Sequence, residues 1–110
     1  VVFNNRNEAI YFSRSVIPYV RNHPKEQWAA EHQYYTHIGL YAYRADILDR
    51  ITRLGRGSLE TAESLEQLRW LENGFRIKVA VSDYDTIGID TPADLEAAIT
   101  FLKQKENRND

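Results

Sequence analysis

Hydrophobic and polar positions change period several times along this chain, and each change marks an element. Val1 to Asn4 is a short apolar run, Asn5-Arg6-Asn7 is turn-prone, and Glu8 to Ser15 reads as a returning strand. In that strand the alternation puts Ile10 and Phe12 on one face with Arg14, and Ala9, Tyr11 and Ser13 on the other. A cation that continues an apolar face has two readings. Arg14 lies past the buried part and snorkels outward, or its guanidinium faces an anion at the strand end. Residues 16–33, with Pro18 and Pro24, show no clear period and read as a long connection. Its Tyr19 and Trp28 suit a subunit interface as well as a local cover over the core.

Tyr35 to Arg44 alternates again, predicting a strand. Ile38, Leu40 and Ala42 form a packing face; His37, Gly39, Tyr41 and Tyr43 form the opposite one, where the glycine leaves room for a ligand against the backbone. A strand histidine is as often a satisfied structural residue, so both readings of His37 stand. The period then lengthens: Ile47, Leu48, Ile51 and Leu54 predict a helix over 45–54, stopped by Gly55. Gly55-Arg56-Gly57 lacks the Lys-Ser/Thr ending of a phosphate loop and reads as a turn. Ser58 is the expected N-cap of a helical stretch to about Asn73, closed by Gly74, with Leu65, Leu68 and Leu71 inward. Glu63, Glu66 and Gln67 lie elsewhere on its surface, where acidic residues are commonly just solvated.

Arg76 to Val81 reads as a half-buried strand with Ile77, Val79 and Val81 inward. A short apolar strand from Thr86 then ends at Asp90. Thr91 is the N-cap of a last helix, Pro92 its first residue, and Asp94 completes a capping box. Leu95, Ala98, Ile99 and Leu102 give that helix a packing stripe, and residues 103–110 are expected to fray. Asp90 stands out. Ligands of open α/β sheets bind beyond the carboxyl ends of strands, and this carboxylate is not needed as the cap. It is available to a hard cation, or else to the amides of the first helical turn.

Composition narrows the function classes. At 110 residues the chain is long enough for one domain with a modest core. Fourteen Lys+Arg against 16 Asp+Glu, a net charge of -2, argue against a nucleic-acid module. The absence of Cys excludes a disulfide scaffold and a thiolate zinc site. No stretch reaches the roughly 18 apolar residues of a membrane span, and no signal-peptide pattern opens the chain, so a soluble, cytosol-compatible unit is expected. The chain also contains no Met and opens within a strand, from which we expect a piece of a longer protein.

Four segments resemble one family, the 3-deoxy-manno-octulosonate (Kdo) cytidylyltransferases. They are Ala9-Ile10-Tyr11-Phe12-Ser13-Arg14-Ser15 with Ile17-Pro18-Tyr19, the run His37-Ile38-Gly39-Leu40-Tyr41-Ala42-Tyr43-Arg44, the block from Ala62 to Gly74, and Thr86-Ile87-Gly88-Ile89-Asp90-Thr91-Pro92 with Asp94-Leu95-Glu96. Val16 departs from the family's usual proline. The resemblance covers the C-terminal part only; the family's phosphate-binding loop and first metal-binding Asp have no counterpart in this chain.

The resemblance implies an α/β fold, the C-terminal half of a nucleotide-diphospho-sugar-transferase-like (GT-A/Rossmann-like) mixed sheet with helices packed on it. It implies an enzyme joining CTP and Kdo into CMP-Kdo and pyrophosphate for lipopolysaccharide synthesis. The sugar's anomeric hydroxyl would attack the α-phosphorus with Mg²⁺ neutralising charge. Asp90 would be the catalytic metal ligand; His37, Tyr41, Glu66, Gln67 and Arg14 would bind Kdo, and Glu63 would support that pocket. Residues 1–110 would form the sugar-binding and dimerisation part, with 13–43 the dimer-forming region of a homodimer. The piece alone is expected to be inactive. The alternatives are a cytidylyltransferase for another sugar acid such as sialic acid, and a non-catalytic dimerising module.

Overall fold

The computed structural model describes residues 1–84 and 86–109. The chain opens with an antiparallel hairpin of β1 (Val2–Phe3) and β2 (Ala9–Tyr11), in which Val2 faces Tyr11 and Phe3 faces Ala9 across an irregular register. Asn4 builds the turn: its Oδ1 accepts the amides of Arg6 at 2.9 Å and Glu8 at 3.0 Å. Such local bonds are what make asparagine a turn residue. A second segment joins the hairpin by a single bridge, Glu8 opposite Lys78, with the Ala9 amide donating to the Ile77 carbonyl at 2.8 Å.

Five helices follow the hairpin among the described residues: α1 (Trp28–Glu31), α2 (Ala45–Ile51), α3 (Ser58–Glu63), α4 (Gln67–Glu72) and α5 (Pro92–Asn109). A 3₁₀ turn, Lys25–Gln27, leads into α1. Trp28 is buried there, its indole N–H donating to the His23 carbonyl at 3.0 Å and its ring meeting Tyr19 edge-on. The core lies between α3, α4 and β2, and its buried apolar residues include Phe12, Ile51, Leu68 and Trp70. The molecule is thus α/β, helices beside a small sheet.

Local chemistry explains the helix ends. Glu72 caps α3 from outside: its Oε1 accepts the Leu59 amide at 2.5 Å and the Ser58 hydroxyl at 3.2 Å. Helix α4 ends in a Schellman motif, the Phe75 amide on the Trp70 carbonyl (3.0 Å) and the Gly74 amide on that of Leu71 (3.1 Å). Gly74 has φ +81°, the left-handed conformation such a closure requires. At α5 the expected box forms: the Thr91 hydroxyl oxygen accepts the Asp94 amide (3.2 Å), and Asp94 Oδ2 accepts the Thr91 amide (3.0 Å).

Several expectations are corrected. Tyr35 to Arg44 is not a strand: among the described residues it forms no ladder, and the Val1 amino group on the Tyr35 carbonyl (3.1 Å) does not start one. Its packing face is absent as well: Leu40 is 84% exposed, while Tyr41 turns inward. The returning strand stops at Tyr11, so the alternation fails beyond it; Phe12 is 2% exposed and Ile10 60%. The stretch 58–73 is two helices, because Ser64 adopts a left-handed φ of 51° between them, and Gly57 rather than Ser58 is the cap. Arg76 to Val81 contributes one bridge in place of a strand, and Thr86 to Asp90 forms none; Val81, Ile87 and Ile89 are exposed. Asp85 and Asp110 lie outside the described residues. Helix α5 runs to Asn109, through the stretch from Lys103 expected to fray; Lys103, Gln104, Lys105 and Glu106 are good helix formers.

Candidate functional site

The end of β2 and the extended chain before α2 enclose a cleft of about 350 Å³, lined among others by Phe12, Ser13, Arg14, Tyr35, His37 and Leu65. A broader open groove begins at His37 and continues past Tyr41, Tyr43 and Trp70. His37 therefore stands at the junction of the two.

The His37 ring meets Phe12 edge-on at 5.0 Å, and the Tyr41 hydroxyl is hydrogen-bonded to His37 Nε2. Burial lowers the His37 pKa from its ordinary 6.5, favouring the neutral ring. Burial, then the neighbouring Tyr43 and Glu66, push the Tyr41 phenol up to about 12. With the phenol and the imidazole both neutral, the tautomer sets the direction: Tyr41 donates to Nε2 when the ring proton is on Nδ1, and accepts when it is on Nε2. Trp70 of α4 holds this arrangement from behind, edge-on to Tyr41 at 5.4 Å and to Tyr43 at 5.5 Å.

Arg14 is tied to the α3–α4 corner. Its Nε donates to the Glu63 carbonyl at 2.5 Å and its Nη2 to the Ser64 carbonyl at 2.9 Å. In return, Glu63 Oε1 accepts the Ser13 hydroxyl at 2.7 Å and the Arg14 amide at 3.3 Å. The Ser13 hydroxyl is the main reason the Glu63 carboxyl sits below its ordinary value, against an opposing contribution from burial. On the same corner Gln67 is 5% exposed, and its Nε2, like Glu63 Oε2, is buried without a hydrogen-bond partner among the described residues. Glu66 is exposed at the start of α4; its charge raises both Tyr41 and Tyr43 after burial has done so.

Asp90 stands apart. It is exposed, its amide donates to Asp94 Oδ2 at 3.1 Å, and its carboxylate accepts no hydrogen bond among the described residues. No group of three or more His, Cys, Asp or Glu able to hold a metal occurs among those residues. A single free carboxylate still fits Mg²⁺, which is commonly held by one or two carboxylates together with substrate phosphates and water.

Of the residues expected to act together, His37 and Tyr41 are in direct contact, and Arg14 shares the smaller cleft with His37. Glu66 reaches the group through its field, Gln67 lies at the same corner, and Asp90 lines neither cleft. Trp70 was missing from the sequence-derived set. Its signal was its place three residues after Gln67, on the side of α4 that faces the tyrosines.

The cytidylyltransferase family model matches residues 1–79. The 3-deoxy-manno-octulosonate cytidylyltransferase of Phocaeicola vulgatus is 63% identical over 106 residues, covering 96% of this chain and 42% of that protein. The protein of the same name from Bacteroides thetaiotaomicron is 62% identical over 105 residues, with the same two coverages. The solved structure of CMP:2-keto-3-deoxy-manno-octonic acid synthetase complexed with CTP superposes with a TM-score of 0.73 at 42% identity, covering 96% of this chain and 41% of that one. The chain thus spans about two-fifths of the length of the curated relatives it matches. With the family model matched over most of its length, the chain belongs to the cytidylyltransferase family.

Proposed function

We propose that this chain supplies the sugar-acid side of an enzyme that transfers CMP from CTP to Kdo, releasing pyrophosphate, for lipopolysaccharide synthesis in the cytoplasm. The observation that carries the reading is the His37–Tyr41 pair, backed by Trp70 at the mouth of two joined clefts. A hydroxyl-rich acid needs donors and acceptors of fixed sense. In either tautomer the His37–Tyr41 pair leaves one donor and one acceptor free, and Glu66 and Gln67 add one of each kind nearby. Arg14 retains Nη1 for the sugar's carboxylate after its two backbone bonds.

These residues bind and orient; the bond change itself takes place between the anomeric oxygen of Kdo and the α-phosphorus of CTP. Asp90 would hold Mg²⁺ there, and the bound ion supplies neutralisation of phosphate charge. The small sheet is taken as the C-terminal portion of a GT-A/Rossmann-like mixed sheet. Residues 13–43 are taken as a dimer-forming region, a reading supported by Tyr19 at 76% and Val16 at 49% exposure.

The test uses the full open reading frame that encodes this chain, assayed for pyrophosphate release from CTP with Kdo or sialic acid and Mg²⁺. Turnover with Kdo and none with sialic acid is expected; the reverse, or none with either, overturns the proposal. The 110-residue chain alone is expected to release no pyrophosphate.

A further inference from the structure

Ser13 and Arg14 follow β2, whereas Glu63 and Ser64 end α3, about fifty residues later in the chain. Four hydrogen bonds join these two short segments, and they run in both directions. The carboxylate of Glu63 takes the Ser13 hydroxyl and the Arg14 amide, while the guanidinium of Arg14 takes the carbonyls of Glu63 and Ser64. Those carbonyls belong to the left-handed corner from which α4, with Glu66 and Gln67, begins. The guanidinium bonds the free carbonyls at a helix end, where a cation is favoured. Its plane is thereby fixed, and so is the direction of Nη1.

We propose that Glu63 is a positioning residue for the sugar-acid site: it sets the Arg14 guanidinium and the Ser64 corner as one unit and touches no substrate itself. The inference rests on the Kdo reading above. Its consequence is a selective one. Loosening the lock frees Arg14 and the start of α4 together, which weakens capture of the sugar acid and leaves capture of the nucleotide untouched.

The experiment is steady-state kinetics on the protein of the full open reading frame, with KM for Kdo and for CTP measured separately. Glu63→Ala is expected to raise KM for Kdo about tenfold, the scale of losing one charged hydrogen bond, with KM for CTP unchanged. Glu63→Gln keeps an acceptor oxygen for Ser13 and Arg14 and is expected to restore most of that loss. Ser13→Ala removes the 2.7 Å bond alone and decides the matter if Glu63→Ala does not fold; a rise of about threefold in KM for Kdo is expected. An unchanged KM for Kdo, or an equal rise for both substrates, overturns the inference. A wild-type protein that does not turn over Kdo overturns the Kdo reading instead.

Discussion

Arg69 closes on Glu60 as a fork on a carboxylate, with Nε 2.6 Å from one oxygen and Nη2 2.7 Å from the other. Glu60 is only 5% exposed, and the Arg69 Nη1 also reaches the Leu54 carbonyl at 3.4 Å. One guanidinium thus joins α3, α4 and the chain leaving α2. The bidentate geometry sets orientation as well as attraction. It lies behind the corner that carries Glu63, Ser64, Glu66 and Gln67.

This pair makes a pH prediction. The Arg69 hydrogen bond, against an opposing cost of burial, holds the Glu60 carboxyl below its ordinary 4.5. A carboxyl depressed on folding contributes stability that is fully present above the unfolded value and lost as pH falls through the folded one. The contribution of this pair to the melting midpoint should therefore be flat above about pH 5 and fall below it. Glu60→Gln should lower the midpoint at neutral pH and flatten the acid decline. An acid decline equal to that of the wild type would contradict the role given to the pair. Glu63 and Asp94 are depressed in the same direction, so part of the decline remains in the variant.

His37 works in the same direction, at higher pH. Burial lowers its pKa, so the unfolded chain takes up a proton before the folded one does. Stability should fall as pH drops below the unfolded value of 6.5 and level off beneath the folded one. If Tyr41 is the donor to Nε2, Tyr41→Phe removes a bond to the neutral ring and should move the His37 titration upward; an unmoved titration assigns the donor to Nε2–H instead. A titration of the imidazole resonances by NMR checks both statements. A His37 value at or above 6.5 in the wild type would refute them.

What the sequence made legible divides along the range of the interactions involved. Thr91 with Asp94 and the closure at Gly74 are complete within a few residues, and both were readable from residue type and spacing. The strands over 35–44 and 86–90 were not, because alternation states a preference for a sheet face and a ladder also needs a neighbour. Ser64 is a third kind. Nothing in a serine announces a left-handed φ; the corner is held by Arg14, fifty positions away. At the site, His37 and Tyr41 were legible as polar aromatics around a glycine. The reciprocal bonds of Arg14 and Glu63 were not, since neither residue type nor spacing pairs two positions about fifty residues apart.

The corrected core assignment is tested by two leucines that the sequence pattern places inward alike, Leu40 by alternation and Leu68 by helical spacing. Leu68 is 0% exposed and Leu40 is 84% exposed. Leu68→Ala should cost about 2–5 kcal/mol, the transfer and cavity contributions together. Leu40→Ala should stay within about 0.5 kcal/mol. Urea titration of each variant gives the difference, and a large loss at Leu40 would mean that 35–44 packs with the face first expected from the sequence.

Two glycines separate backbone strain from crowding. Gly74 and Gly55 both have open space where a Cβ would go, with no heavy atom within 4 Å. Only Gly74 has a left-handed φ, at +81°. Gly74→Ala should therefore destabilise by about 1 kcal/mol through conformation alone, because an L side chain resists that region. Gly74→Asn should cost less, since asparagine tolerates the same closure. Gly55→Ala meets no strain in the folded state and restricts the unfolded chain, so it should be neutral or stabilising by about 0.4–1 kcal/mol. Chemical denaturation of the three variants orders them as Gly55→Ala, Gly74→Asn and Gly74→Ala from most to least stable. A Gly55→Ala loss equal to that at Gly74 would instead locate the requirement for glycine in packing around the turn after α2.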